Sequence, residues 1–92
     1  MTVLEFTDWA QEYISSKGWN IPVTVCQGSY VRIGVFIGAV KAYDDYSVES
    51  IKSMSESTLK ELTKMNLFRL KARLEALSRS EKIVKETRKY LE

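Results

Sequence analysis

"YVRIGVFIGAVKAYDDYS" (Tyr30–Ser47) is the stretch on which the fold turns. Its first eight residues alternate strictly, and alternation at period two is the signature of a half-buried strand. Val31, Ile33, Val35 and Ile37 share one face, predicted to meet the core, and Tyr30, Arg32, Gly34 and Phe36 share the other. Gly38-Ala39 then allows two continuations. Either the chain turns into a short third strand, "VKAY" (40–43), or residues 30–43 form one long strand bent at a glycine bulge. "DDYS" (44–47) reads as a break, with Ser47 as a helix N-cap.

Upstream, "IPVTVC" (21–26) is β-branched and alternating, which predicts a strand, and Pro22 places its start at a sheet edge. "QGS" (27–29) supplies the turn between the strands. Cys26 lies in an apolar run and is expected to be a packed, inert core thiol. Residues 2–17 read as a helix. Thr2 and Glu5 fit a capping box, and Phe6, Ala10, Tyr13 and Ile14 fall on one face. Gly18 is placed as the left-handed stop, with Trp19 folding back onto the last turn.

Downstream of Ser47 the period changes to that of a helix. "SVESIKSM" (47–54) predicts a short helix and "SESTLKELTKMNLFRLKARLEAL" (55–77) a long one, with Thr58 and Glu61 as a second capping box. Ser78 and Glu81 fit a third, opening a last helix in "EKIVKETRKYLE" (81–92). No proline or glycine follows Gly38, so the last two helices can also fuse with a kink near Ser78. The reading is a single α+β domain over residues 1–92: an N-terminal helix, a small antiparallel sheet of two or three strands, then two or three C-terminal helices, all packed on one face of the sheet.

Composition narrows the chemistry. Apolar residues make up 45% and charged residues 28%, which is ordinary for a folded domain. Histidine is absent, which removes the commonest general base and the commonest metal ligand. The single cysteine permits no internal disulfide and suits a reducing compartment. Asp44 and Asp45 are adjacent, so on an extended segment they would point apart, and they serve better as turn residues than as a catalytic pair. The expectation is a non-enzymatic protein with no cofactor and no metal. The N-terminus lacks the pattern of a signal peptide, and the longest apolar run, "VFIGAV", is too short to span a bilayer. A cytoplasmic protein without a membrane partner is therefore expected; the oligomeric state is not readable.

Charge is unevenly divided. Residues 1–54 carry four basic and six acidic side chains, whereas residues 55–92 carry ten basic and six acidic. The helical half is the positive half, which hints at an anionic partner. Within it, "LFRLKARLEAL" (67–77) sets Arg69 and Arg73 hard against a leucine stripe. On a helical wheel of about 100° per residue, Leu59, Leu62, Leu70, Leu74 and Leu77 share one arc. Lys60, Lys64, Lys71 and Glu75 lie opposite as a plain solvated face. Met65, Phe68, Ala72 and Ala76 form a second apolar flank, which predicts a helix packed between the sheet and the last helix.

Asn66, Arg69 and Arg73 fall between the two flanks. Their stems can lie along the apolar surface with the heads in water, or they can pair with Asp44, Asp45 or Glu49. Alternatively, they offer forked donors to a partner's phosphates or carboxylates. Arg79, Lys82, Lys85, Arg88 and Lys89 extend the positive surface. Tyr30, Arg32 and Phe36 on the outward strand face are similar to a stacking platform for single-stranded nucleic acid, unless a helix covers them. The candidate partner-binding set is Asn66, Arg69, Arg73, Arg79, Lys82, Lys85, Arg32 and Tyr30.

Over residues 2–62 the order of elements resembles the double-stranded-RNA-binding domain. That resemblance implies lysines at the start of the second main helix, where this chain has the acidic "DDYSVES". In size, in its lack of catalytic groups and in its attached basic helix, the chain also resembles small phage-encoded inhibitors of bacterial defence, the anti-CRISPR proteins among them. This resemblance implies a protein of the host cytoplasm that docks on a nucleic-acid-guided complex and competes with the target's phosphates. Two functions follow as expectations: a stoichiometric inhibitor of a host protein or ribonucleoprotein, such as a CRISPR surveillance complex, or a regulator that binds RNA or DNA directly through the basic helices.

Overall fold

The computed structural model describes the backbone of residues 1–91 and the side chains of residues 1–79. Its layout is α+β: a helix α1 (Val3–Ser16), strands β1 (Val23–Cys26), β2 (Tyr30–Ile37) and β3 (Val40–Ser47), then helices α2 (Val48–Ser53) and α3 (Glu56–Leu91). The sheet is antiparallel in the order β1-β2-β3. Local signals set the first helix. Thr2 caps it and receives the Glu5 amide at 3.1 Å, while the Glu5 carboxylate accepts from the Thr2 amide. At the other end, Gly18 takes a φ of +70°. Gly18 N–H then bonds Ser15 O and Trp19 N–H bonds Ile14 O, the paired closure of a Schellman stop.

The hairpin departs from the sequence reading at β3. Pairing runs without a bulge from Ile37↔Val40 to Tyr30↔Ser47, so "DDYS" continues the strand instead of breaking it. Two long-range contacts hold this acidic segment in the sheet. Asp45 sits opposite Arg32 and is ion-paired to it, and Tyr46 turns into the core, where it is 7% exposed. Ser47 ends the strand and, as expected, caps α2 by accepting from the Ser50 amide.

The core lies between the sheet and the helices. Phe6, Ala10 and Ile14 of α1 meet Val31, Ile33, Ala42 and Tyr46 of the sheet, Ile51 of α2, and Leu59, Leu67 and Leu70 of α3. The buried hydroxyl of Thr63 is satisfied by donating to Leu59 O within the helix. Of the four β2 residues predicted to face inward, Val31 and Ile33 are buried, Ile37 is half-buried and Val35 is exposed. Val40 is exposed too, so the tip of the hairpin outruns the helical layer.

The C-terminal half corrects three further expectations and settles an open one. Ser55, not Thr58, opens α3, since its hydroxyl accepts from the Thr58 amide. Of the two readings at Ser78, the fused one holds: α3 runs on through the Ser78–Glu81 box, which starts no helix. With no separate last helix, the flank of Met65, Phe68, Ala72 and Ala76 is not sandwiched; all four are exposed. Leu62, expected in the buried arc, is 40% exposed, because the arc that meets the core centres on Leu59, Thr63, Leu67 and Leu70.

Candidate interaction surfaces

The helices cover one face of the sheet and leave the other open. Antiparallel partners share a face. The registers therefore gather Thr24 and Cys26 of β1, Tyr30, Arg32, Gly34 and Phe36 of β2, and Lys41, Tyr43 and Asp45 of β3 on the open side. Phe36 is 60% exposed there. This placement also moves Cys26. Its thiol is half-buried and opposite Tyr30 on the open face, not packed in the core, because the register that buries Val31 and Ile33 turns Cys26 outward.

The open face has an ordered centre. Gly34 lies opposite Tyr43, and a Cβ built on Gly34 would stand 2.9 Å from Tyr43 Cβ and 2.3 Å from Ala42 O. Without that side chain, the tyrosine ring occupies the gap between Arg32 and Phe36. The Arg32 guanidinium carbon is 3.8 Å from the ring centroid, and the Phe36 ring meets it edge-on at 5.1 Å. Lys41 Nζ adds a second cation 4.7 Å from the same centroid. Arg32 is also tied to Asp45, donating through Nε at 2.9 Å and Nη2 at 3.2 Å. That forked bond pushes the guanidinium further into its charged range. Arg32 and Tyr30 thus stand together, with Tyr43, Lys41 and Asp45 as members that sequence reading missed. Their signal was available: a two-residue turn at Gly38-Ala39 sets Ile37 against Val40, which counts back to Arg32 against Asp45.

A second surface lies on the helical side. Asn66, Arg69 and Arg73 line a cleft of ≈160 Å³ with Leu70 and Asp44. Asn66 is committed inward, donating to the Tyr46 hydroxyl at 3.1 Å. Arg69 and Arg73 are exposed. Among the described residues neither makes an ion pair within 4.0 Å; the pairs formed are Arg32–Asp45, Lys60–Glu56 and Lys71–Glu75. Burial raises the pKa of Asp44, with Arg73, Lys41 and Arg69 acting against the rise. Arg79 is exposed further along α3, and the side chains of Lys82 and Lys85 lie outside the described residues.

Lys71 and Glu75 pair with each other on a solvated face, as read, but Lys60 and Lys64 do more than face water. Lys60 Nζ stands 5.7 Å from the Trp9 ring, and Lys64 Nζ stands 5.5 Å from Tyr13. Phe68 meets Trp19 edge-on at 5.3 Å. Residues four apart on α3 therefore run along an aromatic row made by Trp9 and Tyr13 of α1 and Trp19 just after it. Among the described residues no three side chains cluster as metal ligands, and no helix is long and apolar enough to cross a membrane. No protein family, curated protein or solved structure matches the chain.

Proposed function

We propose that the chain is a non-enzymatic binding protein that inhibits a host protein or ribonucleoprotein in the cytoplasm by occupying a surface its target needs. One observation carries this reading. The open sheet face presents Phe36 to solvent beside an arginine and a tyrosine already locked together. Aromatic and arginine side chains dominate the energetics of protein interfaces, and side chains ordered in advance lose less entropy on binding. Arg69 and Arg73 offer forked donors to carboxylates or phosphates from a separate side of the molecule. The resemblance to small phage-encoded inhibitors makes a nucleic-acid-guided defence complex the first target to try.

The test is capture from bacterial lysate with and without nuclease, comparing the native chain with Phe36→Ser. A specific partner retained by the native chain after nuclease, and lost by a folded Phe36→Ser, supports the reading. Equal capture by both chains removes the open face from it. The second reading is a regulator that binds nucleic acid itself, favoured by the cations beside aromatic rings on the same face. It requires binding of a bare single-stranded oligonucleotide with an affinity that falls steeply with salt.

A further inference from the structure

The outer edge of β3 has a hydrogen-bonding frame that the fold leaves unused. Gly38 and Ala39 form a two-residue hairpin loop, so Ile37 and Val40 are a hydrogen-bonded pair and Val35–Ala42 and Ile33–Asp44 follow in phase. The amides and carbonyls of Lys41, Tyr43 and Asp45 therefore point away from β2. The opposite phase on β2 agrees, since Gly34 N–H reaches Pro22 O on the β1 side. Among the described residues, no loop or cap accepts or donates at Lys41, Tyr43 or Asp45. Sheets normally guard such an edge with charge, and Lys41, Asp44 and Asp45 are there. Here the charges are arranged so that the strand complements itself. A two-fold axis at Tyr43 sets Lys41 opposite Asp45 of a second copy, and Asp45 opposite its Lys41. That axis pairs outward-pointing backbone groups with one another, as an antiparallel ladder requires. Moving it to Asp44 or Asp45 sets an aspartate against itself, and moving it to Ala42 pairs no charges.

The neighbouring flank of α3 is equally uncovered. Its Lys60 and Lys64 lie along α1 and its Phe68 on Trp19 just beyond, and α1 packs on β1, while α3 itself packs on β3. At about 100° per residue, Leu62, Arg69 and Arg73 fall on the side turned away from α1, beside the β3 edge. Leu62 is 40% exposed. Interfaces of standard size bury about 1,600 Å² in total, more than one short strand pair supplies, and Leu62 with the stems of Arg69 and Arg73 supplies further area.

We propose that β3 docks antiparallel on β3 of a second copy of this chain about a two-fold axis at Tyr43, giving a continuous six-stranded sheet. The two open faces then join into one surface with paired Tyr43 residues at its middle. The α3 flanks, with Leu62, close beneath. The Arg69–Arg73 clefts from both copies converge near the axis, where the two Asp44 carboxylates supply their anionic groups. The proposal concerns self-association, and it stands or falls independently of any host target.

A charge exchange tests it by sedimentation equilibrium at tens of micromolar. The native chain is expected to be a dimer. Lys41→Asp alone sets aspartate against aspartate and is expected to be a monomer with native circular dichroism; Asp45→Lys alone sets lysine against lysine and also gives up the Arg32 pair, so it is expected to be a folded monomer of lower thermal stability. Mixed in equal amounts, the two variants regain both opposite-charge pairs and are expected to form a heterodimer, a gain that misfolding cannot imitate. Amide exchange at Tyr43 and Asp45 should slow in the native chain as concentration rises. A native chain that stays monomeric overturns the proposal, as does a Lys41→Asp variant that stays dimeric or a mixture that stays monomeric.

Discussion

The Arg32 guanidinium carbon lies 3.8 Å from the centroid of the Tyr43 ring while Nε and Nη2 both donate to Asp45. Gly34 makes that arrangement possible. It holds a φ of +123°, and any Cβ there would collide with Ala42 O and Tyr43 Cα at 2.3 and 2.7 Å. Both obstructing atoms are backbone, so neither can swing aside. Gly34→Ala is therefore expected to lower stability by at least about 2 kcal/mol, adding backbone strain to overpacking. Gly18→Ala is the control. It also sits at positive φ but meets nothing within 4 Å, so it should cost only about 1 kcal/mol. Urea denaturation of the two variants checks the difference, and equal losses would mean that contact with Tyr43 contributes nothing.

Cys26 offers a chemical probe of the sheet's orientation. Its place opposite Tyr30 on the uncovered face predicts that a thiol reagent modifies it in the native state, without prior unfolding. The rate should be insensitive to small amounts of denaturant. A thiol that reacts only as fast as the protein unfolds would place Cys26 inside the core and invert the face assignment.

Local signals in the sequence were legible where the partners are close along the chain. Thr2 with Glu5, and Gly18 with Trp19, act within one helical turn, and both closures form as read. The strand from Tyr30 to Ile37 and the cap at Ser47 were equally readable, because alternation and capping are local. The misreadings share a different cause. Asp44 and Asp45 look like turn residues until Arg32 is placed across from Asp45, and that placement depends on a register set by the distant turn at Gly38. Ser78 and Glu81 spell a capping box, but a continuous helix makes the cap unnecessary. Lys60 and Lys64 read as solvated until α1 is laid beside them with Trp9 and Tyr13. For the candidate surfaces, the sequence identified Arg32, Tyr30, Asn66, Arg69 and Arg73 as residues of interest. It could not separate them onto two sides of the molecule.

Two carboxylates should affect the pH dependence of stability in opposite directions. Burial raises the Asp44 pKa, so the folded state binds its proton more tightly than the unfolded chain does. Between the unfolded and the raised folded pKa, the folded protein carries the extra proton, and stability falls as pH rises through that window. Glu5 is the reverse case. Its hydrogen bonds with Thr2 lower its pKa, and its contribution is present at neutral pH and lost as pH falls through the folded value. Asp44→Asn should therefore remove the acid-side stabilisation while preserving or raising stability at pH 7. Thermal melts of native and variant chains from mildly acidic to neutral pH decide it, and a variant that is less stable at pH 7 would show that the Asp44 charge is favourably paired.

The last comparison sets Arg69 and Arg73 against Lys60 and Lys64. The arginines are exposed and make no ion pair among the described residues, so replacing both by alanine should change stability by only about half a kcal/mol. The lysines lie over Trp9 and Tyr13, and Lys60 also pairs with Glu56. Exposed cation–π contacts contribute about 0.5–1 kcal/mol each, so the lysine pair should lose roughly 1 kcal/mol or more on the same substitution. Binding should divide the other way. The arginine variant is expected to lose affinity for an anionic partner by about 2 kcal/mol or more, with the lysine variant nearly unchanged once its lower stability is allowed for. Thermal denaturation and partner titration on the same two proteins measure both effects. An arginine variant that unfolds easily, beside a lysine variant that cannot bind, would make the arginines structural and the lysine row the working surface.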